Sequence, residues 1–168
     1  MLFRSSGTTG WLSDYHKVEN LCVKNDTAFL YASNFSLGVN LFFELNDYLA
    51  KMMSKFDSYK VSMEEIHHTQ KLDAPSGTAI SLAISIISNS NLDNWTIKDA
   101  KPNELFINAQ RIQGVPGTHI VNYQSEVDCI EIKHVAHSRD GFGLGAVIAA
   151  EWLVGKKGVF TMKDVLEI

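Results

Sequence analysis

The sequence contains few residues that break or cross-link a chain. Its 168 residues include three prolines and two cysteines, Cys22 and Cys129. The low proline count imposes few sharp breaks, and two cysteines in apolar surroundings are typical of buried thiols in a reducing compartment rather than of a disulfide scaffold. No apolar run approaches the roughly 20 residues that span a bilayer. The longest such run, residues 144–154, is short and contains Glu151.

Charge of neither sign dominates the composition. Lys and Arg number 15 and Asp and Glu number 19, so the formal net charge is −4. This balance argues against a dedicated nucleic-acid-binding protein. With 45% apolar and 20% charged residues, the chain has the composition of a globular protein that can bury a core. The first residues lack the pattern of a secretory signal, so the expected location is the cytoplasm.

The order of the predicted elements indicates two parts. Residues 11–20 predict a short helix and residues 29–32 an apolar strand, which together are half of a parallel α/β unit. Four later runs alternate in polarity and predict strands: residues 59–64, 105–112, 119–124 and 128–136. A turn at residues 114–117 separates two of them, and short turns between successive strands favour antiparallel pairing. We therefore expect an α/β part followed by an α+β part.

Three longer helices are predicted after residue 34. The first begins after a cap at Asn34 or Ser36 and presents one apolar stripe. The members of that stripe are Leu41, Leu45, Tyr48, Leu49, Met52 and Phe56. The second helix covers residues 78–88, and its predicted apolar face comprises Ile80, Ala83, Ile84 and Ile87. The third helix covers residues 143–154 and is followed by Gly155, which can end it.

Residues 65–79 place three kinds of polar group between the end of a strand and the start of a helix. Adjacent histidines at a strand end, His67 and His68, point to opposite sides, so one can do chemistry while the other binds. Lys71 lies on the connecting loop, where it can swing toward the same pocket. Backbone N–H groups at residues 76–78, which open the helix, can bind a carboxylate or phosphate. The stretch predicts a pocket for a small anion beside a proton donor.

Each of these features also has an ordinary structural interpretation. A Ser-Gly-Thr sequence before a helix is usually a cap, paired histidines are often strand residues with satisfied hydrogen bonds, and a loop lysine is normally solvated. All three features occur within about a dozen residues here, and this coincidence favours a functional site.

The same stretch resembles the signature of the dihydrodipicolinate reductase family. The resemblance rests on His67, His68, Lys71 and residues 73–79, and it continues in residues 7–11, residues 32–40, residues 138–139 and the helix after Phe142. Members of this family are NADH- or NADPH-dependent enzymes of the diaminopimelate route to lysine, now called 4-hydroxy-tetrahydrodipicolinate reductases. The resemblance implies that the substrate is a small cyclic dicarboxylate.

The resemblance also implies roles for individual residues. His67 would be the catalytic acid and base, and Lys71 a proton donor. The substrate would be held by His68, Ser76, Gly77 and Thr78. The coenzyme would be bound by Gly7, Thr8, Thr9, Ala32, Ser33, Asn34, Phe35, Arg139 and Phe142.

A domain organisation follows from the same resemblance. Residues 1–35 would be an α/β remnant of a Rossmann-like dinucleotide-binding domain. Residues 36–140 would form an α+β substrate-binding and tetramerisation domain with a mixed, largely antiparallel sheet. Residues 141–168 would be a helix and tail that pack back on the cofactor domain. The complete protein would be a homotetramer, with neither nucleic acid nor a membrane as a partner.

The sequence departs from the family at its beginning. It has no G-x-G-x-x-G motif for a pyrophosphate, and residues 4–6 are Arg-Ser-Ser where the family has an apolar strand. We therefore expect an amino-terminally truncated reductase that binds NAD(P)H weakly or not at all. In it, the strand at residues 29–32 would lack most of its parallel neighbours. A natural short paralogue is the alternative to truncation.

Three other functions are possible on the residues alone. The histidines allow a metal site, but adjacent histidines on a strand cannot easily share one ion, and neither paired-cysteine spacing nor H-E-x-x-H is present, so no metal is predicted. The histidines concerned are His67, His68, His119, His134 and His137. A non-catalytic assembly fragment built on a three-strand meander is the second possibility. Another sugar- or acid-reducing oxidoreductase is the third.

Overall fold

The computed structural model describes residues 3–8 and 10–168, and the chain divides into two compact units. The first unit comprises the chain up to Asn40 together with Asp140–Ile168, and the second comprises Leu41–Arg139. Each unit is built around its own β-sheet. Among the helices of the described residues, none has the length and apolar character needed to cross a membrane.

Eight strands and five α-helices lie within the described residues. The strands are β1 (Phe3–Ser6), β2 (Ala28–Tyr31), β3 (Lys60–His67), β4 (Asn94–Thr96), β5 (Glu104–Arg111), β6 (Gly117–Gln124), β7 (Cys129–Ala136) and β8 (Gly158–Phe160). The helices are α1 (Tyr15–Lys24), which follows a 3-10 turn at Leu12–Asp14, and α2 (Leu37–Met53), α3 (Gly77–Ser88), α4 (Asp140–Trp152) and α5 (Met162–Leu166). The sequence did not predict β1, β4 or β8.

The first unit contains a three-stranded parallel sheet with β2 in the middle. The expectation that this strand lacks most of its parallel neighbours is therefore wrong. Residues 4–6 form an edge strand despite their polarity. Arg4 and Ser5 are exposed there, and the pairing with β2 uses only backbone groups.

Residues from β2, α4 and α5 form the core of this unit. Its buried members are Ala28, Leu30, Ala32, Ala149, Leu153, Met162 and Val165. Gly145 allows α4 to approach the chain that leaves β2. A Cβ atom at this position would lie 1.8 Å from the carbonyl oxygen of Phe35, so only glycine fits.

The second unit contains a five-stranded mixed sheet in the order β4-β5-β3-β6-β7. Strands β4, β5 and β3 are parallel, whereas β6 pairs antiparallel with β3 and β7 antiparallel with β6. The two longest ladders are antiparallel, as expected. The predicted three-strand meander of β5, β6 and β7 is wrong, because β3 lies between β5 and β6. The turn near Gly114 therefore joins strands on opposite sides of β3, and β3 is the central strand.

The predicted apolar stripe of α2 is wrong. Leu41, Leu45, Tyr48, Met52 and Phe56 are all exposed, and of the predicted stripe Leu49 alone is buried. The buried side of the helix is formed by Phe42, Asn46, Leu49, Ala50 and Met53. The helix is apolar on two sides. Periodicity alone could not choose between them, and the polar Asn46 lies on the buried one.

The face of α3 is also shifted from its predicted position. Ala79, Leu82, Ala83 and Ile86 are its buried residues, whereas Ile84 is exposed. Helices α2 and α3 pack with Met63, Leu105, Ile107 and Val121 of the sheet in one buried cluster. The end of β3 and the start of α3, which carry the predicted site, both belong to this unit.

Candidate active site

Strand β3 carries a glutamate and a histidine on its buried face. Side chains alternate along a strand, so Met63, Glu65 and His67 share that face. Glu65 is 0% exposed and His67 is 7% exposed. A fully buried carboxylate is costly unless it is paired or hydrogen-bonded, so the partners of Glu65 define the surroundings of the site.

Three chain segments converge on the carboxylate of Glu65. The backbone N–H of Ser76 donates to both carboxylate oxygens at 3.1 Å, and Arg111 Nη2 donates to Oε1 at 3.1 Å. His67 Nδ1 lies 3.3 Å from Oε2. Burial by itself raises the pKa of Glu65, but contacts with His67, Ser76 and Arg111 outweigh it and bring the pKa to about 2. Glu65 is therefore an anion at neutral pH.

His119 completes the buried cluster. It pairs with Glu65 across the β3–β6 ladder, and its Nε2 lies 3.2 Å from Ser76 Oγ and 3.8 Å from Glu65 Oε2. The rings of His67 and His119 meet edge to face, with centroids 5.1 Å apart. Burial, reinforced by His67, lowers the pKa of His119 to about 4. At neutral pH this imidazole is uncharged.

Helix α3 begins beside the Glu65 carboxylate. Ser76 caps the helix, because its Oγ accepts the N–H of Ala79 at 3.2 Å. Gly77 is exposed, and a Cβ atom there would meet no other atom within 4 Å. Thr78 is half-buried. The start of α3 therefore leaves open space in front of its first turn, where a helix can accept an anion.

Lys71 lies on the loop between β3 and α3. Its Nζ donates to both carboxylate oxygens of Asp73 at 2.8 Å, and this contact lowers the pKa of Asp73. The backbone of Lys71 is held on both sides. Its N–H donates to the carbonyl oxygen of His68 at 3.1 Å, and its own carbonyl oxygen accepts Arg111 Nε at 3.3 Å. The predicted proton donor is thus fixed to the same arginine that contacts Glu65.

The structure therefore brings the predicted catalytic and substrate-binding residues together within one unit. His67 and the Ser76 N–H both lie next to the Glu65 carboxylate, and Gly77 follows Ser76. Arg111 connects Lys71 to this group, because it donates both to the Lys71 carbonyl oxygen and to the Glu65 carboxylate. His68, which is half-buried, immediately follows β3.

In the first unit, the carboxyl ends of β1 and β2 lie side by side. The N–H of Ala32 donates to the carbonyl oxygen of Ser6 at 3.1 Å. A Cβ atom at Gly7 would lie 3.1 Å from the ring of Phe35, so the absence of a side chain leaves room for this ring. Ligands of parallel α/β sheets bind at this edge. The Thr8 hydroxyl lies there, 3.0 Å from Ser6 Oγ.

The remaining predicted coenzyme residues are placed as follows. Thr9 lies outside the described residues. Ser33 is exposed, and Asn34 uses its side-chain oxygen to accept a backbone N–H two residues further along at 2.9 Å. Arg139 is exposed and ends the second unit, whereas Phe142 is half-buried in the first turn of α4, in the first unit.

Within residues 3–8 and 10–168, one group has the spacing of metal ligands. It consists of Glu65, His67 and His119, whose ligand atoms lie within 4.8 Å of one another. Arg111 lies 3.1 Å from the same carboxylate, and the N–H of Ser76 already donates to both of its oxygens. The Arg111 charge and the Ser76 N–H both repel a cation at this position. The electrostatics therefore favour Glu65 as a hydrogen-bonded carboxylate rather than as a metal ligand.

Sequence reasoning missed Glu65 and Arg111 and did not place His119 in the site. The alternation that predicts β3 puts Glu65 on its dry face, and a buried acid there signals that partners are needed. Arg111 and His119 gave no such signal. They reach Glu65 only because β5 and β6 pair with opposite edges of β3, which is a property of the sheet order.

One unit thus has a parallel sheet, whose carboxyl edge is where α/β domains bind nucleotides, and the other has a buried carboxylate–histidine cluster beside a helix start. Together they agree with a two-domain oxidoreductase. The profile of a known family, described as "Dihydrodipicolinate reductase, C-terminus", matches residues 38–166. The chain belongs to the dihydrodipicolinate reductase family, as its sequence motifs predict.

Individual relatives agree with this result. The 4-hydroxy-tetrahydrodipicolinate reductase of Christiangramia forsetii is 60% identical over 162 residues, which are 96% of this chain and 68% of the relative. That of Thermosipho africanus is 39% identical over 163 residues, covering 96% of this chain and 66% of the relative. The chain thus spans about two thirds of the length of these relatives.

A solved structure confirms the fold class. The dipicolinate-bound dihydrodipicolinate reductase from Paenisporosarcina sp. TG-14 matches 97% of this chain and 64% of its own, with a TM-score of 0.72 and 23% identity. At this identity the likeness concerns the fold alone.

Proposed function

We propose that this chain acts in the NADH- or NADPH-dependent reduction of 4-hydroxy-tetrahydrodipicolinate to tetrahydrodipicolinate, a step of diaminopimelate and lysine biosynthesis. One observation carries the proposal. The carboxylate of Glu65 accepts the N–H of Ser76 and lies 3.3 Å from His67 Nδ1. An acid and an anion-accepting helix start therefore adjoin the same group, and one small acidic molecule can reach both. Family membership supports the identity of the substrate.

The reaction adds one hydride and one proton to the substrate and releases its 4-hydroxyl group as water. The coenzyme supplies the hydride when it is bound. Negative charge then develops on the substrate, and a positioned acid has to neutralise it. His67 would act as acid and base and Lys71 as proton donor. The carboxylate of Asp73 holds the Lys71 ammonium on the loop that precedes α3.

A cyclic dicarboxylate needs two places for its carboxylates. The first is the start of α3, where the N–H groups of Gly77 and Thr78 would bind one carboxylate and Ser76 would assist. The open space at Gly77 supports this assignment. His68 would contribute to the rest of the substrate site.

The nicotinamide coenzyme would lie at the carboxyl edge of the parallel sheet. Gly7, Thr8, Phe35 and the chain between β2 and α2 would hold it, including Ala32, Ser33 and Asn34. Thr9, Arg139 and Phe142 are assigned to the coenzyme site by the family motif alone. The packing of Gly7 against Phe35 and Ala32 supports the proposal, because three of the residues assigned to the coenzyme lie together.

The larger organisation is proposed on the same basis. Residues 1–35 with residues 141–168 would serve the coenzyme, and residues 36–140 would bind substrate and form the homotetramer of the complete protein. The partners would be small molecules rather than nucleic acid or membranes. Cys22 is buried, as the sequence indicates, whereas the expectation of a buried Cys129 is wrong, because it is exposed. The absence of a disulfide between these two cysteines supports a reducing compartment, the cytoplasm.

Calorimetric titration of the chain with dipicolinate tests the substrate site without coenzyme. The wild-type chain should bind dipicolinate, and Gly77→Ala should weaken the binding because its methyl group enters the open space before α3. Gly143→Ala is the matched control, since its Cβ also meets nothing within 4 Å, in a helix of the other unit. Absence of dipicolinate binding by the folded wild-type chain would refute the proposed site.

Oxidation of NADH or NADPH in the presence of substrate tests turnover. Substrate-dependent oxidation that disappears in Lys71→Ala would support the reductase function. The second candidate is a non-catalytic assembly fragment that retains the substrate site, since His67, Ser76, Gly77 and Thr78 all belong to one compact unit. Dipicolinate binding without turnover, together with self-association, would be the result expected of this candidate.

A further inference from the structure

Glu65 is a buried charge that no step of the proposed reaction uses, yet it is linked to every segment that carries a proposed catalytic residue. Its carboxylate contacts His67 on its own strand, Ser76 at the start of α3 and Arg111 at the end of β5. Arg111 in turn donates to the carbonyl oxygen of Lys71. One carboxylate thus joins the proposed acid, the anion-accepting helix start and the lysine loop.

We propose that Glu65 is a positioning residue, whose carboxylate holds the His67 imidazole and the first turn of α3 at a fixed separation for one substrate. The proposal rests on the proposed function, since it concerns the same site. The N–H of Ser76 donates to both oxygens, so a rotation of the carboxylate would disturb the contacts with His67 and Ser76 together. Glu65 itself is 0% exposed and does not reach solvent.

The charge of Glu65 also acts on the His67 ring. The titratable and charged groups that surround His67 come from three strands: Glu65 on β3, Arg111 on β5 and His119 on β6. The start of α3 adds the positive end of a helix. Glu65 is the anion of this set, and its carboxylate lies 3.3 Å from Nδ1, so its charge orients this side of the ring toward it.

A matched pair of variants separates this role from a general effect of charge. Glu65→Gln keeps the shape of the side chain and removes the charge. Glu64→Gln makes the same change at the adjacent residue, whose side chain points to the other face of β3. There the Glu64 carboxylate accepts the side-chain amides of Asn108 and Gln110 at 2.9 Å each.

The first measurement is the orientation of the His67 ring without ligand, from its NMR contacts with His119 and Gly117. In Glu65→Gln these contacts should change, because the carboxylate 3.3 Å from Nδ1 no longer orients the ring. Glu64→Gln should leave them in place. Unchanged ring contacts in a folded Glu65→Gln variant would overturn the proposal.

The second measurement is dipicolinate affinity. Glu65→Gln should weaken it about tenfold or more, since one buried contact with the start of α3 is lost or distorted. Glu64→Gln should bind as the wild type does. Equal affinities in Glu65→Gln and the wild type would overturn the proposal.

If Glu65→Gln does not fold, Glu65→Asp is the variant that tests the proposal. Aspartate retains the charge but is one methylene shorter, so it cannot reach both His67 and Ser76. Its dipicolinate affinity should fall, and wild-type affinity would contradict the positioning role. The ligand-free NMR measurement of the His67 ring also distinguishes the two proposals. If the wild type binds no dipicolinate, the proposed function fails, whereas the effect of Glu65 on His67 is still measured.

Discussion

The backbone N–H of Ser76 donates to both carboxylate oxygens of Glu65, at 3.1 Å each. Ser76 is the cap of α3, so its N–H lies outside the hydrogen-bond ladder of the helix and needs a partner elsewhere. A side chain of β3 supplies that partner. The contact fixes the start of α3 to the strand that carries His67, and the expected behaviour of the variants below depends on it.

In a chain joined to the amino-terminal part of its relatives, Lys71→Ala should lower turnover by about 100-fold or more, because a positioned proton donor contributes on the order of 100- to 10,000-fold. Coenzyme affinity should change little, since Lys71 belongs to the second unit and the proposed coenzyme edge to the first. Steady-state kinetics and a coenzyme titration check both statements. Lys60→Ala, at the exposed start of β3, is the control and should retain turnover. Unchanged turnover in Lys71→Ala would remove Lys71 from the mechanism.

Thr78→Val should mainly weaken substrate binding. Replacing the hydroxyl by a methyl group removes a polar contact, and the binding free energy should fall by about 1–3 kcal/mol if the substrate group is left unpaired. Thr78→Ser keeps the hydroxyl and should bind nearly as the wild type does. Calorimetry with dipicolinate measures both variants, and equal losses in the two would show that the hydroxyl is not the contact.

Gly117→Ala should displace the His67 ring. A Cβ atom at this position would lie 3.2 Å from His67 Nε2, so the imidazole has to move by a few tenths of an ångström. We expect reduced turnover and altered His67 NMR signals in a protein that still folds. Gly143→Ala, which meets open space, should change neither. His67 signals identical to those of the wild type would contradict this close contact.

His119 should make the protein sensitive to mild acid. Its folded pKa is about 4, below the ordinary value of 6.5, so the unfolded chain binds a proton in this pH range that the folded chain does not. Stability should therefore decrease as pH falls from 6.5 toward 4, by about 3 kcal/mol in total at 1.36 kcal/mol per pKa unit.

Urea unfolding of the wild type and His119→Gln over this pH range measures the effect. The variant should lose about 3 kcal/mol less stability between the two limits. Glu65 contributes at lower pH, because its depressed pKa gives a loss as pH falls from 4.5 toward 2, and both proteins share it. Parallel pH profiles of the two proteins would contradict the buried, neutral state of His119.

The sequence predicts local features of this protein better than relationships between distant segments. The alternation in residues 59–64 and the Ser76 cap are local signals, and both elements are present. The exposed stripe of α2 and the position of β3 between β5 and β6 depend on what packs against each element. For the same reason the family motif indicated His67 and Lys71, whereas Arg111 emerged only from its place beside β3 in the sheet.

A crystal structure of this chain with dipicolinate tests most directly whether His67 and the start of α3 serve one ligand. One carboxylate of the ligand should accept the N–H groups of Gly77 and Thr78 at about 2.7–3.2 Å, with the His67 imidazole against the same molecule. Dipicolinate bound away from α3, or in contact with the helix start but out of reach of His67, would contradict the account.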